Sequence, residues 1–424
     1  MDGNRTGGAI SEWFHRVWRR GVMRSGMMTG LLLAIAALAF IFAYRQHQQG
    51  NFHKLKQRMA TERPQTAVPT PGGQEAIELT RTRMMDDSVP EFTAVKLLPG
   101  RGMNVLQIRA SIPGMGETDL LVSPDVNTAA TAMTGKGADA GGRYSLHVGG
   151  AFEVPWADKI WPLSTNDHGR PATEWKGNAI EIPALPSPVE GGLLLAAPSD
   201  LSNTSTLPDG GQAEATFRGV GEHWPSKMDV TVATLLSRHT IDMTITVRNT
   251  GAQAAPVGIG WTPKFVIMKG ARSQLRLRIP AESTVEESKH QNGLPTGKLT
   301  PVAHSALDYT APDGVQLSDS SMDICFAGLT QGVMDNGPAA ELIDPLNGYK
   351  LRLTALSSEI KAMRVTIPAD GSYLSIGPQF NYPDPFGHEW DKTGGAGMVV
   401  LQPGQSTQWK VRLEILPLTS PKAM

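Results

Sequence analysis

HTIDMTITVRNTG, residues 239–251, alternates apolar and polar side chains without a break. Ile241, Met243, Ile245 and Val247 fall on one side of an extended chain, and Thr240, Asp242, Thr244, Thr246 and Arg248 fall on the other. A period of two marks a β-strand buried on one face, and Asn249, Thr250 and Gly251 supply turn residues to end it. STQWKVRLEILPL, residues 406–418, repeats the pattern with Trp409, Val411, Leu413 and Ile415. Shorter runs of the same kind cover 103–112, 213–217, 228–236, 274–279, 349–353 and 361–367. No comparable region sustains a 3.6-residue period and no segment repeats at a fixed interval, so the expected fold is all-β, a large antiparallel sandwich.

The 45 glycines and 31 prolines of the 424-residue chain provide turns for many short strands, without the triplet period of collagen. Thirty-nine Lys and Arg against 40 Asp and Glu leave a net charge of −1, so no global basic field points to a nucleic-acid partner. That balance hides a segregation: residues 1–63 carry +7 and the remainder −8. MMTGLLLAIAALAFIFAY, residues 27–44, holds 18 residues without a formal charge, close to the roughly 20 that cross the bilayer core as a helix. It reads as one transmembrane helix. A cleaved signal peptide is the alternative, opposed by the long basic region before it and the lack of a small-x-small site after it. Arg16, Arg19, Arg20 and Arg24 favour a cytoplasmic 1–26, which makes the expected location the inner membrane, single-pass, with the C-terminal domain in the periplasm. Trp13, Phe14 and Trp18 fit either an interfacial amphipathic segment or a plain anchor flank. Residues 45–75, polar and then Pro-rich in RPQTAVPTPGG (63–73), read as a linker, and 76–418 as the sandwich domain.

Common catalytic signatures are missing: no HExxH, GxSxG, GxGxxG, Walker phosphate loop or EF-hand loop occurs. GLPTGKLT (293–300) is one residue short of a phosphate loop and reads as a turn. The ten histidines are scattered, so neither a metal nor a cofactor is expected. Cys325 is the single cysteine, which excludes an intrachain disulfide and suits a buried, inert thiol.

Four segments carry a common pattern. GMNVLQIRASIPGMGETDLLVSP (102–124) has a Gly-rich lead into two strands. GGAFEVPWADKIWP (149–162) is close to Pro-Trp/Tyr-Ala-Asn-Arg-Ile. VRNTGAQAAPVGIGWTPKF (247–265) is close to an Asn-Thr-Gly strand end followed by Gly-x-Gly-x-His-Pro-Tyr-Phe. YLSIGPQFNYPDPFG (373–387) with VVLQPGQSTQWKVRLEI (399–415) is close to a Glu-Pro-Gln segment and a final Leu-x-Pro-Gly-x-Ser/Thr strand. Together and in this order they resemble the galactose mutarotase, or aldose 1-epimerase, family. The resemblance implies a β-supersandwich that binds a sugar or polysaccharide in a surface groove. In that family a glutamate takes the proton of the anomeric hydroxyl, while histidines protonate the ring oxygen and position the sugar.

Carried over residue by residue, the family's histidine falls on Thr262, its tyrosine on Lys264 and its glutamate on Gly377. The Asn-Arg pair becomes Asp158 and Lys159, and an earlier histidine turn falls on VEGGLL (189–194), which puts Glu190 there. The motif's flanks are kept while its proton-transfer groups are replaced. Glu190 and Asp158 are the candidate substitute catalytic residues, with Asp384, Glu389, Lys264 and His388 as further titratable groups in matched segments. Trp156, Asp158, Lys159, Thr262, Lys264, Gln379, Asn381 and Tyr382 are the expected sugar-binding residues. Trp161, Phe265, Phe380, Phe386 and Trp390 join Trp156 and Tyr382 in an aromatic set able to stack on pyranose rings, half of it expected in the core. The expectation is a membrane-anchored periplasmic carbohydrate-binding protein, mutarotase-like but non-catalytic, within an envelope polysaccharide complex. The alternatives are an active epimerase of the aldose or hexose-6-phosphate type, with substitute acid and base, and a purely structural protein. An enzyme requires two titratable side chains facing one another near Thr262 and Gly377.

Overall fold

The computed structural model describes residues 35–38, 40, 44, 68–82, 88–166 and 169–418. The chain divides into two units, Met1–Val68 and Pro69–Met424. In the first, residues 35–38, 40 and 44 are helical; the rest of the expected span, the basic segment 1–26 and linker residues 45–67 lie outside the described residues. Among the described residues no helix is long and apolar enough to cross a membrane.

The second unit is built on a nine-stranded and a twelve-stranded sheet, and every strand pairing among its described residues is antiparallel. Thr240–Asn249, the strand read from HTIDMTITVRNTG, lies inside the nine-stranded sheet between Met228–Leu236 and Ser406–Pro417. Its Ile241, Met243, Ile245 and Val247 are all buried, as the alternation requires. Trp409 ties the two sheets together: it packs edge-on to Phe152 of the twelve-stranded sheet at 6.3 Å and donates its indole N–H to the Pro378 carbonyl at 3.2 Å. Burying one tryptophan contributes about 4–6 kcal/mol by area.

Three features differ from the expectation. The domain is mostly β rather than all-β, because Val126–Ala132 is an α-helix whose cap, Asp125, accepts the N–H groups of Asn127 and Thr128 at 2.9 and 3.1 Å. Seven residues are too few to display a helical period. GLPTGKLT is not a turn but most of the strand Leu294–Pro301, paired with Ala281–Ser288 at a sheet edge. An edge tolerates Pro295 and Pro301 because its outer side needs no ladder donor. The folded unit also takes in the end of the expected linker: Pro71 is buried, and Gln74 donates to the Ser199 carbonyl at 2.7 Å.

Five strands lie side by side within the twelve-stranded sheet: Gly150–Glu153, Gly260–Pro263, Tyr373–Gln379, Ala362–Ile367 and Met322–Leu329. Phe152, Trp261, Leu374, Ile376, Met363 and Val365 point into the core. A period of two therefore turns Glu153, Thr262, Ser375, Gly377, Gln379, Arg364 and Thr366 to the opposite face. The sandwich core and this polar face are built by the same strands.

Asn249 ends the central strand and is fully buried. Its side-chain oxygen accepts from the Ser226 hydroxyl at 2.8 Å and the Gly251 N–H at 3.1 Å, and its amide donates to the Gln253 and Leu401 carbonyls at 2.6 and 2.9 Å. Asn249→Ala removes four hydrogen bonds from a buried site and is expected to cost about 3 kcal/mol. Urea unfolding checks this through a lower midpoint at unchanged slope; a loss below about 1 kcal/mol would show that the network is not structural.

Candidate functional site

The polar face holds a cavity of about 190 Å³. Its floor is Arg364, only 7% exposed. The guanidinium is held by Asp323 at 2.7 Å, by Asp158 at 3.4 Å and by Glu287. Burial works against its charge, yet the three carboxylates hold its pKa well above the ordinary value. Each acid comes from a different element. Asp323 lies on the neighbouring strand, Glu287 projects where the Ala281–Ser288 pairing shifts register, and Asp158 sits in a turn at φ 64°, in the left-handed region. Lys159 adds a second cation, 3.0 Å from Asp323. Burial would raise the Asp323 carboxyl, but Arg364 and Lys159 hold it far below the carboxylate range.

Glu153 stands apart from this network. Its side chain lines the cavity and is buried, accepting the Asp158 N–H at 2.6 Å and the Thr262 hydroxyl. Neutral donors do not offset the loss of water, so burial pushes its pKa up to about 7. Lys264, 4% exposed, lines the same cavity. Among the described residues its ammonium has no hydrogen bond or ion pair, and it lies 5.3 Å from the Tyr373 ring centroid. Burial pulls its pKa down to about 8 against the opposing charges of Glu153 and Glu190. His147 also faces the cavity, its pKa lowered by burial and by Lys264. The cavity thus contains a carboxyl and an amine, both titrating near neutrality and within reach of each other's charge.

Residues 204–414 match the aldose 1-epimerase family model. The domain has a galactose mutarotase-like fold. A galactose mutarotase-like protein from Clostridium acetobutylicum shares its fold with a TM-score of 0.64 at 16% identity, over 81% of this chain and 98% of that one. An aldose epimerase homologue from C. elegans gives 0.59 at 14%, over 77% and 96%. A galactose 1-epimerase from Lactobacillus acidophilus gives 0.56 at 12%, over 81% and 99%. No curated protein sequence matches the chain.

The mutarotase-like frame brings Glu190, Asp158, Lys159, Thr262, Lys264 and Gln379 to one cavity, with Gly377 on the same strand face. It does not bring the other three expected residues there. Trp156 is buried and stacked on Trp224 at 5.5 Å. Asn381 is buried and bonded to both the N–H and the carbonyl of Ala157, at 3.1 and 2.9 Å. Tyr382 packs on Trp390 at 5.2 Å. Phe265, Phe380, Phe386 and Trp390 are buried as well, so among the described residues Tyr373 is the one Phe, Tyr or Trp that lines the cavity. Asp384 accepts the Trp161 N–H at 2.9 Å outside the cavity, and burial together with nearby Glu389 lifts it to about 7. His388 pairs with Asp391 at 3.6 Å on the surface. Cys325 is buried beneath Gln379, and burial raises its pKa well above the ordinary value. Among the described residues, no group of three or more His, Cys, Asp or Glu is placed to hold a metal ion.

Sequence reasoning passed over Glu153, Arg364, Asp323, Tyr373 and His147. The available signal for Glu153 was a single carboxylate in the apolar run Ala151–Val154, where a surface acid has no reason to be.

The raised pKa of Glu153 carries a stability consequence. Between the ordinary value of 4.5 and about 7 the folded state holds a proton that the unfolded state releases, so stability falls as pH rises through that window, by up to about 3 kcal/mol. Lys264 acts in the opposite sense, and only above about pH 8. Glu153→Gln keeps the side-chain volume and the acceptor. It is expected to flatten the decline of Tm between about pH 5 and 7 and to raise stability at about pH 8 by roughly 1–3 kcal/mol. An unchanged decline would show that Glu153 titrates normally.

Proposed function

We propose that the domain is a sugar-recognition module that binds a pyranose in this cavity without catalysing its anomerisation. The observation carrying this reading is the state of the two family positions: Thr262 spends its hydroxyl on Glu153, and Gly377 has no side chain. A Cβ at 377 would lie 3.0 Å from the Trp261 carbonyl, a tight contact that glycine avoids. Asp158 is committed to Arg364 and is not a free base. Glu190 stands on the exposed rim. The remaining Gln379, Ser375, Thr366 and Lys159 offer donors and acceptors for hydroxyl groups, which suits a neutral sugar.

One observation favours a second reading, an active aldose 1-epimerase. Glu153 near 7 and Lys264 near 8 have the pKa values of a working base and acid. Glu153 would take the anomeric hydroxyl proton and Lys264 would give one to the ring oxygen; closure from the other face inverts the centre. Two-dimensional exchange NMR on galactose and glucose with the full-length protein separates the readings. A recognition module broadens the sugar lines and leaves α/β exchange at the buffer rate. Exchange above that rate overturns it. An enzyme using this pair would be fastest between about pH 7 and 8, losing rate below as Glu153 is protonated and above as Lys264 loses its proton.

The charge segregation and the uncharged 27–44 support a placement at the periplasmic face of the inner membrane, in an envelope polysaccharide system. Alkaline carbonate is expected to leave the chain in the membrane pellet, and protease added to spheroplasts to digest residues 69–418. Release by carbonate would exclude the span.

A further inference from the structure

Beside the pocket lies a larger cavity of about 530 Å³, between the hairpin strands Pro171–Trp175 and Asn178–Glu181 and the loop 385–395. The two cavities draw on the same parts of the chain. Asp158, Lys159 and Glu190 face the first, and Glu174, Trp175 and Lys176, from the segment between them, face the second. Likewise Tyr373, Ser375 and Gln379 face the first, and the loop that follows them faces the second. They meet along a shared partition: the Asp384 N–H donates to the Lys159 carbonyl at 2.7 Å, and the Asp384 carboxyl accepts the Trp161 N–H at 2.9 Å.

The walls of the second cavity suit a sugar ring. Phe386 and Trp390 are buried behind it, and Trp390 is fixed by donating its indole N–H to the Pro383 carbonyl at 3.1 Å. Trp175 is half-buried, packed in part against the core, and the exposed Lys176 ammonium lies over its ring at 4.6 Å from the centroid, a place that a stacked sugar would take by displacing the lysine. A face that holds a cation this way also holds the polarised C–H groups of a pyranose. Glu174, Lys176, His388 and Asp391 stand at the rim with donors and acceptors for hydroxyls. Gly394 and Gly395, at φ 83° and 105°, leave the backbone bare on one side, with nothing within 4 Å of the Cβ either would carry. The first pocket, by contrast, falls short of the roughly 300–1,000 Å³ of ordinary ligand sites. It has room for one sugar unit and little more.

We propose that the cavity between the 171–181 hairpin and the 385–395 loop is a second sugar subsite, stacked on Trp175, and that the ligand is an oligosaccharide or polysaccharide chain occupying both cavities. This rests on the sugar-recognition reading of the first pocket. Calorimetry on the full-length chain in detergent compares glucose, cellobiose and cellotetraose, and in parallel galactose and β-1,4-galactotetraose. In one series the tetrasaccharide is expected to bind about tenfold tighter than its monosaccharide. Trp175→Ala is expected to abolish that gain while leaving monosaccharide affinity within about twofold. Should Trp175→Ala unfold the hairpin, ¹⁹F NMR of 5-fluorotryptophan-labelled protein reads the same contact, with the Trp175 line assigned from Trp175→Phe. That line is expected to shift with the tetrasaccharide and not with the monosaccharide. Equal affinity of monosaccharide and tetrasaccharide, or a gain that survives Trp175→Ala, overturns the subsite and leaves the sugar-binding pocket standing. Absence of binding across both series overturns the pocket reading and the subsite with it.

Discussion

Arg364 is the charge around which the pocket is arranged. A guanidinium this deeply buried costs several kcal/mol unless its partners are close and well oriented. The fold supplies them from three separate elements, at Asp158, Asp323 and Glu287, and braces Asp323 from the far side with Lys159. The three acids outnumber the two cations by one, so removing the arginine would leave two carboxylates uncompensated in a poorly solvated place. The arrangement therefore fixes the Asp158 turn, the irregular register at Glu287 and the edge of Met322–Leu329 relative to one another. It also marks Asp323 as a poor proton acceptor, since Arg364 and Lys159 hold its carboxyl far below the ordinary range.

Glu153 shows the contrasting case a few ångströms of chain away. Asp323 is held far below the carboxylate range by two cations, whereas Glu153 receives only a hydroxyl and a backbone N–H, so desolvation governs it and its proton is retained to near neutrality. Lys264 is the mirror image: a cation without an ion pair among the described residues, pulled toward its neutral form. One pocket thus contains a saturated ion network and, beside it, two groups whose charges are barely maintained. The first provides rigidity. The second leaves the net charge of the pocket responsive to pH and to whatever binds.

The strands were legible because burying one face of a β-strand writes a period of two into the chain, and Thr240–Asn249 or Met228–Leu236 could be drawn almost to the residue. The resemblance segments added which loops lie near one another, and this was enough to bring Asp158, Glu190, Thr262, Lys264 and Gln379 to one cavity. What stayed hidden depends on cross-strand register. Arg364 and Asp323 are 41 positions apart and meet because Cys325 pairs with Arg364 and Asp323 with Thr366 on adjacent strands, a relation no local pattern encodes. Trp156 and Tyr382 lie away from that cavity for a different reason: an aromatic side chain stacks equally well on a sugar or on another aromatic, and here the partners are Trp224 and Trp390.

The same period of two lets one set of strands carry the sandwich core and a polar pocket independently. On Tyr373–Gln379, Leu374 and Ile376 face the sandwich core, whereas Ser375, Gly377 and Gln379 face the pocket. On Ala362–Ile367 the division is Met363 and Val365 against Arg364 and Thr366. Stability lives on one set of positions and chemistry on the other, so a substitution in the second set is felt by the core only through the backbone. Gly377 marks where that independence ends, since the Trp261 carbonyl crowds the site of its Cβ. A side chain at 377 would ask the neighbouring strand, which also holds Trp261 in the core, to give by a few tenths of an ångström. Such a side chain would therefore be felt by the sheet as well as by the pocket.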